Sequence, residues 1–434
     1  VRVNFDVPLD KANPNVILDA ERISKAMPTL QYILDKGAKA VILCSHLSRP
    51  SGQRVSALSL VPVAKCLAAI AGKAVTFLPD CCGSEVEAAC ANPKHGSIIL
   101  LENLRFNIAE EGQGVDAAGN KVKAKPESVA RFRASLARLA DVYVNDAFGT
   151  SHRSHSSMLG KGFRHRICGF LVQKELTACQ RVLNNPKRPV LAILGGMKLS
   201  DKIQVIMNML DHVDMMIIGG GMAFTVLKVT EGIAIGDSIY DKEGAGMALD
   251  IVVKAKKNGV ELALPVDFTI SSTFGEDGEV RSATKEEGIP KGFIGLDCGE
   301  QSRKLNAEMV ARASTIVWNS ALGVVQMPTF EAGTNSLLEN IVQATARGAI
   351  TVIGGGNAAA VCRKCNVEHK VTHCSSGNRT FLELVKGKEL PGIANLSDRM
   401  PPHTEESESQ SRSAKTNGGS LREAHGAPHA PPQP

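Results

Sequence analysis

Short apolar runs, each followed by a glycine-rich or polar turn and then by a helical pattern, recur along the chain. Residues 40–44 precede the turn 45–52, 191–194 precede Gly195 and Gly196, 215–218 precede Gly219 to Gly221, and 350–353 precede Gly354 to Gly356. Strands that are apolar at nearly every position are covered on both faces, so the pattern predicts parallel sheets flanked by helices. The helical half is clearest after Gly196. Ser200 is placed to cap, Asp201 falls in the first turn, and Ile203, Ile206, Met207 and Leu210 share one face. Residues 130–140 read as another helix, with Phe132, Leu136 and Leu139 inward, leading into a strand at 142–144.

The rhythm occurs twice, once over 1–170 and again over 188–384. A helical segment at 171–183, ended by Asn184-Asn185-Pro186, falls between them and is placed to act as a hinge over 171–187. The expected fold class is therefore α/β, with two Rossmann-like lobes of parallel sheet joined by a hinge helix. A total of 434 residues agrees, since one domain usually takes about 100–200. A segment at 385–396 is expected to return to the first lobe. From 397 to 434 the chain is rich in Ser, Pro, Glu and His with little to bury, so it reads as a disordered tail whose His425 and His429 are solvated.

Composition narrows the function. A net charge of +6 suits a small anionic ligand and is too diffuse for nucleic acid. No run of 18 apolar residues occurs, so no membrane span is expected. Eleven scattered cysteines read as reduced thiols in a cytoplasmic protein. The chain opens at Val1 inside an apolar run, and part of a first strand is expected to be missing.

Three glycine clusters each follow a strand and open a helix, where free N–H groups and the absence of Cβ atoms suit phosphate. Neither G-x-G-x-x-G nor G-x-x-x-x-G-K-[ST] is present, so each cluster alone is equally a tight turn. Their shared place at strand ends in one lobe favours a ligand. Lys198 and Lys202, four apart after the first cluster, are expected to face one crevice, although two solvated lysines would look the same. Arg22, His46, Arg49, Arg105 and Arg153 stand near the ends of apolar runs in the first lobe and suit an anionic small molecule, against the plainer reading of surface ion pairs. Cys362, Cys365, His369, His373 and Cys374 are zinc-compatible types, but without a second C-x-x-C they read better as reduced helix cysteines packed on the sheet.

Taken in order, RVNFDVPLD, SHLSRP, LLENLRF, VNDAFGTSHRSHSS, LAILGGMKLSDKI, MIIGGGMAFT, LPVDF, GLDCG, VWN and GGGNAAA resemble the phosphoglycerate kinase family over residues 1 to about 394. The resemblance implies a glycolytic, typically monomeric enzyme that moves a phosphoryl group between 1,3-bisphosphoglycerate and MgADP, giving 3-phosphoglycerate and MgATP. It implies that the first lobe holds the acid and the second the nucleotide, with hinge closure excluding water. Asn4, Asp6, Arg22, His46, Arg49, Arg105 and Arg153 would bind the acid. Gly196, Lys198, Lys202, Gly220, Asn319, Gln326, Gly355, Gly356, Asn357 and Ala358 would line the nucleotide site. Arg22, Lys198, Lys202 and Gly355 would act on the transferring group.

The chain departs from the family pattern at several points. The family's D-F-N is here Asn4-Phe5-Asp6. Its G-G-G-D-T is here Gly354 to Ala358, so Asn357 keeps an oxygen for magnesium but lacks the charge a hard cation favours, which implies a weakened metal site. Ser320 and Ala321 stand for Gly-Pro, Gln326 for a carboxylate near the ribose, and S-T-G-G-G is reduced to Ser375, Ser376, Gly377, Asn378 and Arg379. On sequence alone an active kinase, an impaired relative kept for ligand binding or interaction, and a non-functional copy all stay open.

Overall fold

The computed structural model describes residues 1–397; apart from Ser397, the expected tail with His425 and His429 lies outside the described residues. In the first half, the strands Val75–Phe77, Ser97–Leu100 and Ala40–Leu43 pair in parallel in that spatial order, and Val142–Asn145 pairs in parallel with His165–Cys168. Arg2 stitches the two groups together, bridging Cys44 on one side and Asn145 on the other. Its amide donates to the Val144 carbonyl at 2.8 Å, and the Val3 amide donates to Cys44 at 3.1 Å. Val3, Phe5 and Val7 alternate into the core beneath the helix Glu21–Asp35.

The second half holds six parallel strands in the spatial order Glu261–Ala263, Met215–Ile218, Val190–Leu194, Thr315–Asn319, Ile350–Gly354 and His373–Cys374. Numbered by sequence this order is 3-2-1-4-5-6, a doubly wound sheet. Val190–Leu194 and Thr315–Asn319 are buried at every position, because helices cover both faces. One core contains Val205, Ile206, Val226 and Phe381, the other Trp318, Leu338, Ile341 and Val361.

Three details differ from the sequence expectation. The helix after Gly196 runs only Ile203–Met209, and Ser200 caps nothing: its amide donates to Asp241 at 2.7 Å, as part of a turn that precedes the helix. Asp267–Ser271 pairs antiparallel with both Val280–Thr284 and Ile294–Cys298, because the short link between the first two strands allows a hairpin and not a crossover. Of the helix cysteines, Cys362 lies in the core, but Cys365 falls at the exposed end of the helix Gly356–Lys364.

The helix Phe170–Leu183, expected to act as a hinge, turns Val172, Ala178, Cys179 and Val182 inward. At its start Phe170 meets Tyr32 edge-on at 5.0 Å, tying it to the first half, while its body packs on Ile350–Gly354. Phe381 is fully buried, and its ring fills the space a side chain on Gly354 would need, 2.3 Å from that Cβ position. Phe381→Ala is expected to cost about 3–5 kcal/mol, read as a lower denaturation midpoint; a change below about 1 kcal/mol would show that the ring is not packed as described.

Candidate active site

The first half gathers its anion-binding candidates around one cavity of about 420 Å³. Asn4, Asp6, Arg22, His46, Arg49, Arg105 and Arg153 all line it. The bridges made by Arg2 to Cys44 and Asn145 fix the segment that delivers Asn4 and Asp6. Asp6 Oδ1 accepts the Ser48 amide at 2.7 Å, and its other oxygen lies 3.7 Å from Arg22 and 3.8 Å from His46. Asn4 Oδ1 is buried with no partner. Arg105 is buried, donates to the Ser48 carbonyl at 2.6 Å and lies 3.0 Å from Glu111. Arg49 is exposed on the rim.

Histidine contributes no charge here. Burial, followed by the guanidinium of Arg2, holds the His46 pKa well below its ordinary value. That arginine is itself fully buried and meets His46 Nδ1 at 3.0 Å. Burial first, then neighbouring arginines, brings His152 down to about 4 and His155 down to about 3. The positive charge of the cavity therefore resides on its guanidinium groups.

The second half presents a different wall at the point where its strand order reverses, between Val190–Leu194 and Thr315–Asn319. A Cβ on Gly195 would strike the Ala321 carbonyl at 1.9 Å, and one on Gly220, held at φ 70°, would sit 2.7 Å from the Gly196 carbonyl. One on Gly355, at φ 88°, would fall 2.9 Å from Asn319 Nδ2. Only glycine lets these three strand-to-helix turns converge. Asn319 stands at their centre. Its Oδ1 accepts from the Lys202 ammonium, and its Nδ2 is buried with no partner. Burial brings Lys202 down to about 8, helped by Lys386.

A cavity of about 320 Å³ opens beside these turns, lined by Gly196, Gly220, Gln326 and Asn357 and floored by Phe224, Phe268 and Leu296. Two expectations change here. Lys198 does not share a crevice with Lys202: Lys198 is exposed whereas Lys202 is buried against Asn319, and neither lines either cavity, because residues 197–202 form turns and not a helix. Ala358 turns into the core, so its methyl faces away from the cavity. Gly356 is exposed at the helix start.

The two walls meet at the loop Ser375 to Arg379, which the sequence marks by its missing glycines. A Cβ on Gly356 would lie 3.6 Å from Asn378 Oδ1, and Asn378 itself lines the anion cavity. Glu175 on the helix Phe170–Leu183 anchors this loop. It accepts from Ser375 Oγ at 2.7 Å and from the Ser376 amide and hydroxyl at 2.8 and 2.7 Å, and meets His373 Nε2 at 2.9 Å. His373 is thus engaged away from Cys362. Among the described residues the only metal-compatible cluster is Asp80, Cys81 and Cys82, remote in sequence from the 362–374 set.

Comparison with known proteins decides what this pair of cavities belongs to. The sequence model described as "Phosphoglycerate kinase" matches residues 1–388. The chain belongs to the phosphoglycerate kinase family. It is 54% identical over 399 residues to "Phosphoglycerate kinase 1" of Rattus norvegicus, covering 92% of this chain and 95% of the relative. It is 53% identical over the same length and shares to "Phosphoglycerate kinase 2" of Macaca fascicularis. Among solved structures, phosphoglycerate kinase from Coxiella burnetii aligns with a TM-score of 0.78 at 32% identity, covering 91% of this chain and 94% of that one. The Pyrococcus horikoshii phosphoglycerate kinase aligns with a TM-score of 0.71 at 26% identity and the same coverage.

The phosphoglycerate kinase family uses a nucleotide, and the second wall suits its phosphates. The orphaned Asn319 Nδ2 needs an acceptor, and the glycine turns leave room for one. Asn357 offers a carbonyl oxygen at the cavity edge. No group of three ligating side chains occurs there among the described residues. That fits a magnesium ion carried mainly by substrate phosphates, as such ions usually are.

Proposed function

We propose that this chain transfers a phosphoryl group between 1,3-bisphosphoglycerate and MgADP, giving 3-phosphoglycerate and MgATP, as a cytoplasmic monomer. The observation that carries the reading is the convergence of Arg22, Arg49, Arg105 and Arg153 on one cavity that meets a glycine-opened helix start through Asn378. The arginines would hold the acid's phosphate and carboxylate, with Asn4, Asp6 and neutral His46 fixing its hydroxyl and carboxyl groups by hydrogen bonds.

In the second lobe Gly196, Gly220 and Gln326 would hold the nucleoside. Lys202, Asn319 and the amides at Gly355 and Gly356 would receive its phosphates. Asn357 would help to hold magnesium, which supplies neutralising charge on those phosphates. The transfer is direct: an oxygen of the ADP terminal phosphate forms a new P–O bond as the acyl P–O bond breaks and the carboxylate leaves. Arg22, Lys202 and the Gly355–Gly356 amides would spread the charge of the moving group, and Lys198, exposed on its loop, would reach that group only after hinge closure.

A coupled assay that detects ATP formed from 1,3-bisphosphoglycerate and MgADP tests the reading; absence of ATP from folded protein overturns it. Light scattering at the mass of two chains would overturn the monomer.

Lys202 gives the site a pH signature. Its ammonium titrates near 8 when no ligand is present, so it is charged below that value and neutral above it. ADP affinity is therefore expected to fall as pH rises through about 8, and the fall should vanish in Lys202→Met. Calorimetric titration from pH 6.5 to 9.5 reads this, and a flat profile for the unaltered chain would contradict it.

A further inference from the structure

Arg379 lines the anion cavity, although it belongs to the second half of the chain. It is the first residue of the helix Arg379–Val385, and the loop before it is held firmly. Thr380 Oγ1 donates to the Gly149 carbonyl at 2.8 Å and meets His152 Nδ1 at 2.7 Å. Gly377 lies so close to Phe148 that a Cβ there would sit 2.3 Å from its ring. Asn378 is held at φ 42°, a conformation non-glycine residues seldom adopt. These contacts pin the loop against the floor of the cavity in the first half.

The guanidinium of Arg379 is largely uncommitted. Its side chain is 73% exposed, and its one ion pair, to Glu383, is long at 3.8 Å. That carboxylate is already served by Lys386 at 3.2 Å and Lys388 at 3.1 Å. Arg105, by contrast, is buried against Glu111, and Arg22 is shared with Asp6. Arg379 directly follows Asn378, whose Oδ1 lies 3.6 Å from the Cβ position of Gly356 at the helix start. Its charge reaches His152, whose low pKa it helps to set.

We propose that Arg379 is a specificity-determining residue that binds the second phosphate of a doubly phosphorylated three-carbon acid, the phosphate on the side of the nucleotide lobe. This rests on the proposed function, because it takes the first-half arginines as the site for the acid's other phosphate. The consequence is discrimination: the cavity prefers the bisphosphorylated acid to the monophosphorylated one without any nucleotide present, since a free fork-shaped cation meets a dianion that the second acid lacks.

Calorimetric titration at fixed low ionic strength tests this with two probes, 3-phosphoglycerate and a non-hydrolysable bisphosphonate analogue of 1,3-bisphosphoglycerate. The intact chain should bind the bisphosphonate at least about tenfold more tightly. Arg379→Gly should reduce that ratio to within about threefold while changing 3-phosphoglycerate affinity little, and Arg379→Lys should keep part of it. If Arg379→Gly leaves the ratio unchanged, or weakens both ligands equally, Arg379 is not the determinant. If the intact chain binds neither acid, the reading of the cavity itself falls, and this inference with it.

Discussion

Arg22→Ala is expected to lower kcat for ATP formation by about 10²–10³, the usual cost of removing one preorganised charge from a transition state. The site explains why this arginine should matter more than its neighbours. Arg22 sits in the first turn of the helix Glu21–Asp35, its side chain 43% exposed; it donates to the Asp6 carbonyl at 2.5 Å and lies 3.7 Å from that residue's carboxylate. Because these contacts are open to solvent, Arg22 can exchange them for a phosphoryl group between the lobes, whereas Arg105 is buried against the Ser48 carbonyl and Glu111. Exposed ion pairs contribute about 0–1 kcal/mol to stability, so the melting temperature should hardly move. A fall in kcat at unchanged melting temperature would assign Arg22 to the chemistry. A kcat within threefold of the intact chain would remove it from the reacting centre.

Asn357→Asp is expected to do the opposite and raise kcat/KM for MgADP, by about 10–100-fold, the range by which groups supporting a metal site commonly shift affinity or activity. Asn357 is exposed at the edge of the cavity of about 320 Å³, one residue into the helix after Gly356, so a carboxylate there meets solvent and needs no repacking. The added charge suits a hard cation, and the magnesium concentration for half-maximal rate should fall in parallel. An unchanged magnesium dependence would show that residue 357 does not touch the metal–nucleotide unit. A loss of activity would show that the site has adapted to the amide.

The two walls were unequally legible in the sequence. Arg22, His46, Arg49, Arg105 and Arg153 stand at the ends of apolar runs, and a parallel sheet places strand ends on one edge, so their convergence followed from the pattern. The fully buried strands Val190–Leu194 and Thr315–Asn319 were legible for a similar reason: two covered faces leave no polar alternation to confuse. The antiparallel unit around Asp267–Ser271 was hidden, because its short strands carry the same apolar content as the rest.

Pairings across long sequence distances could not be read at all. Lys202 meets Asn319 more than one hundred residues away, and Glu175 holds Ser375 two hundred residues on. Spacing misled for Lys198 and Lys202, since a separation of four implies a shared face only inside a helix, and the helix begins at Ile203. Arg2 carries no sequence signal that sets it apart, yet it is fully buried and meets His46 at 3.0 Å. Arg379 belonged to a stretch notable mainly for its missing glycines; only the contacts of Thr380 and Gly377 bring it to the cavity.

A structure of the ternary complex with 3-phosphoglycerate and a non-hydrolysable MgATP analogue tests the shared-phosphate cleft most directly. The expected result is a carboxylate oxygen of the acid in line with the terminal phosphorus at about 3–3.5 Å, the separation of a reactive encounter. Arg22 should lie on one side of that phosphate and the Gly355–Gly356 amides on the other. Ligands bound in separate cavities with their reacting atoms apart, Arg22 turned to solvent and the helix start facing no phosphate would contradict it.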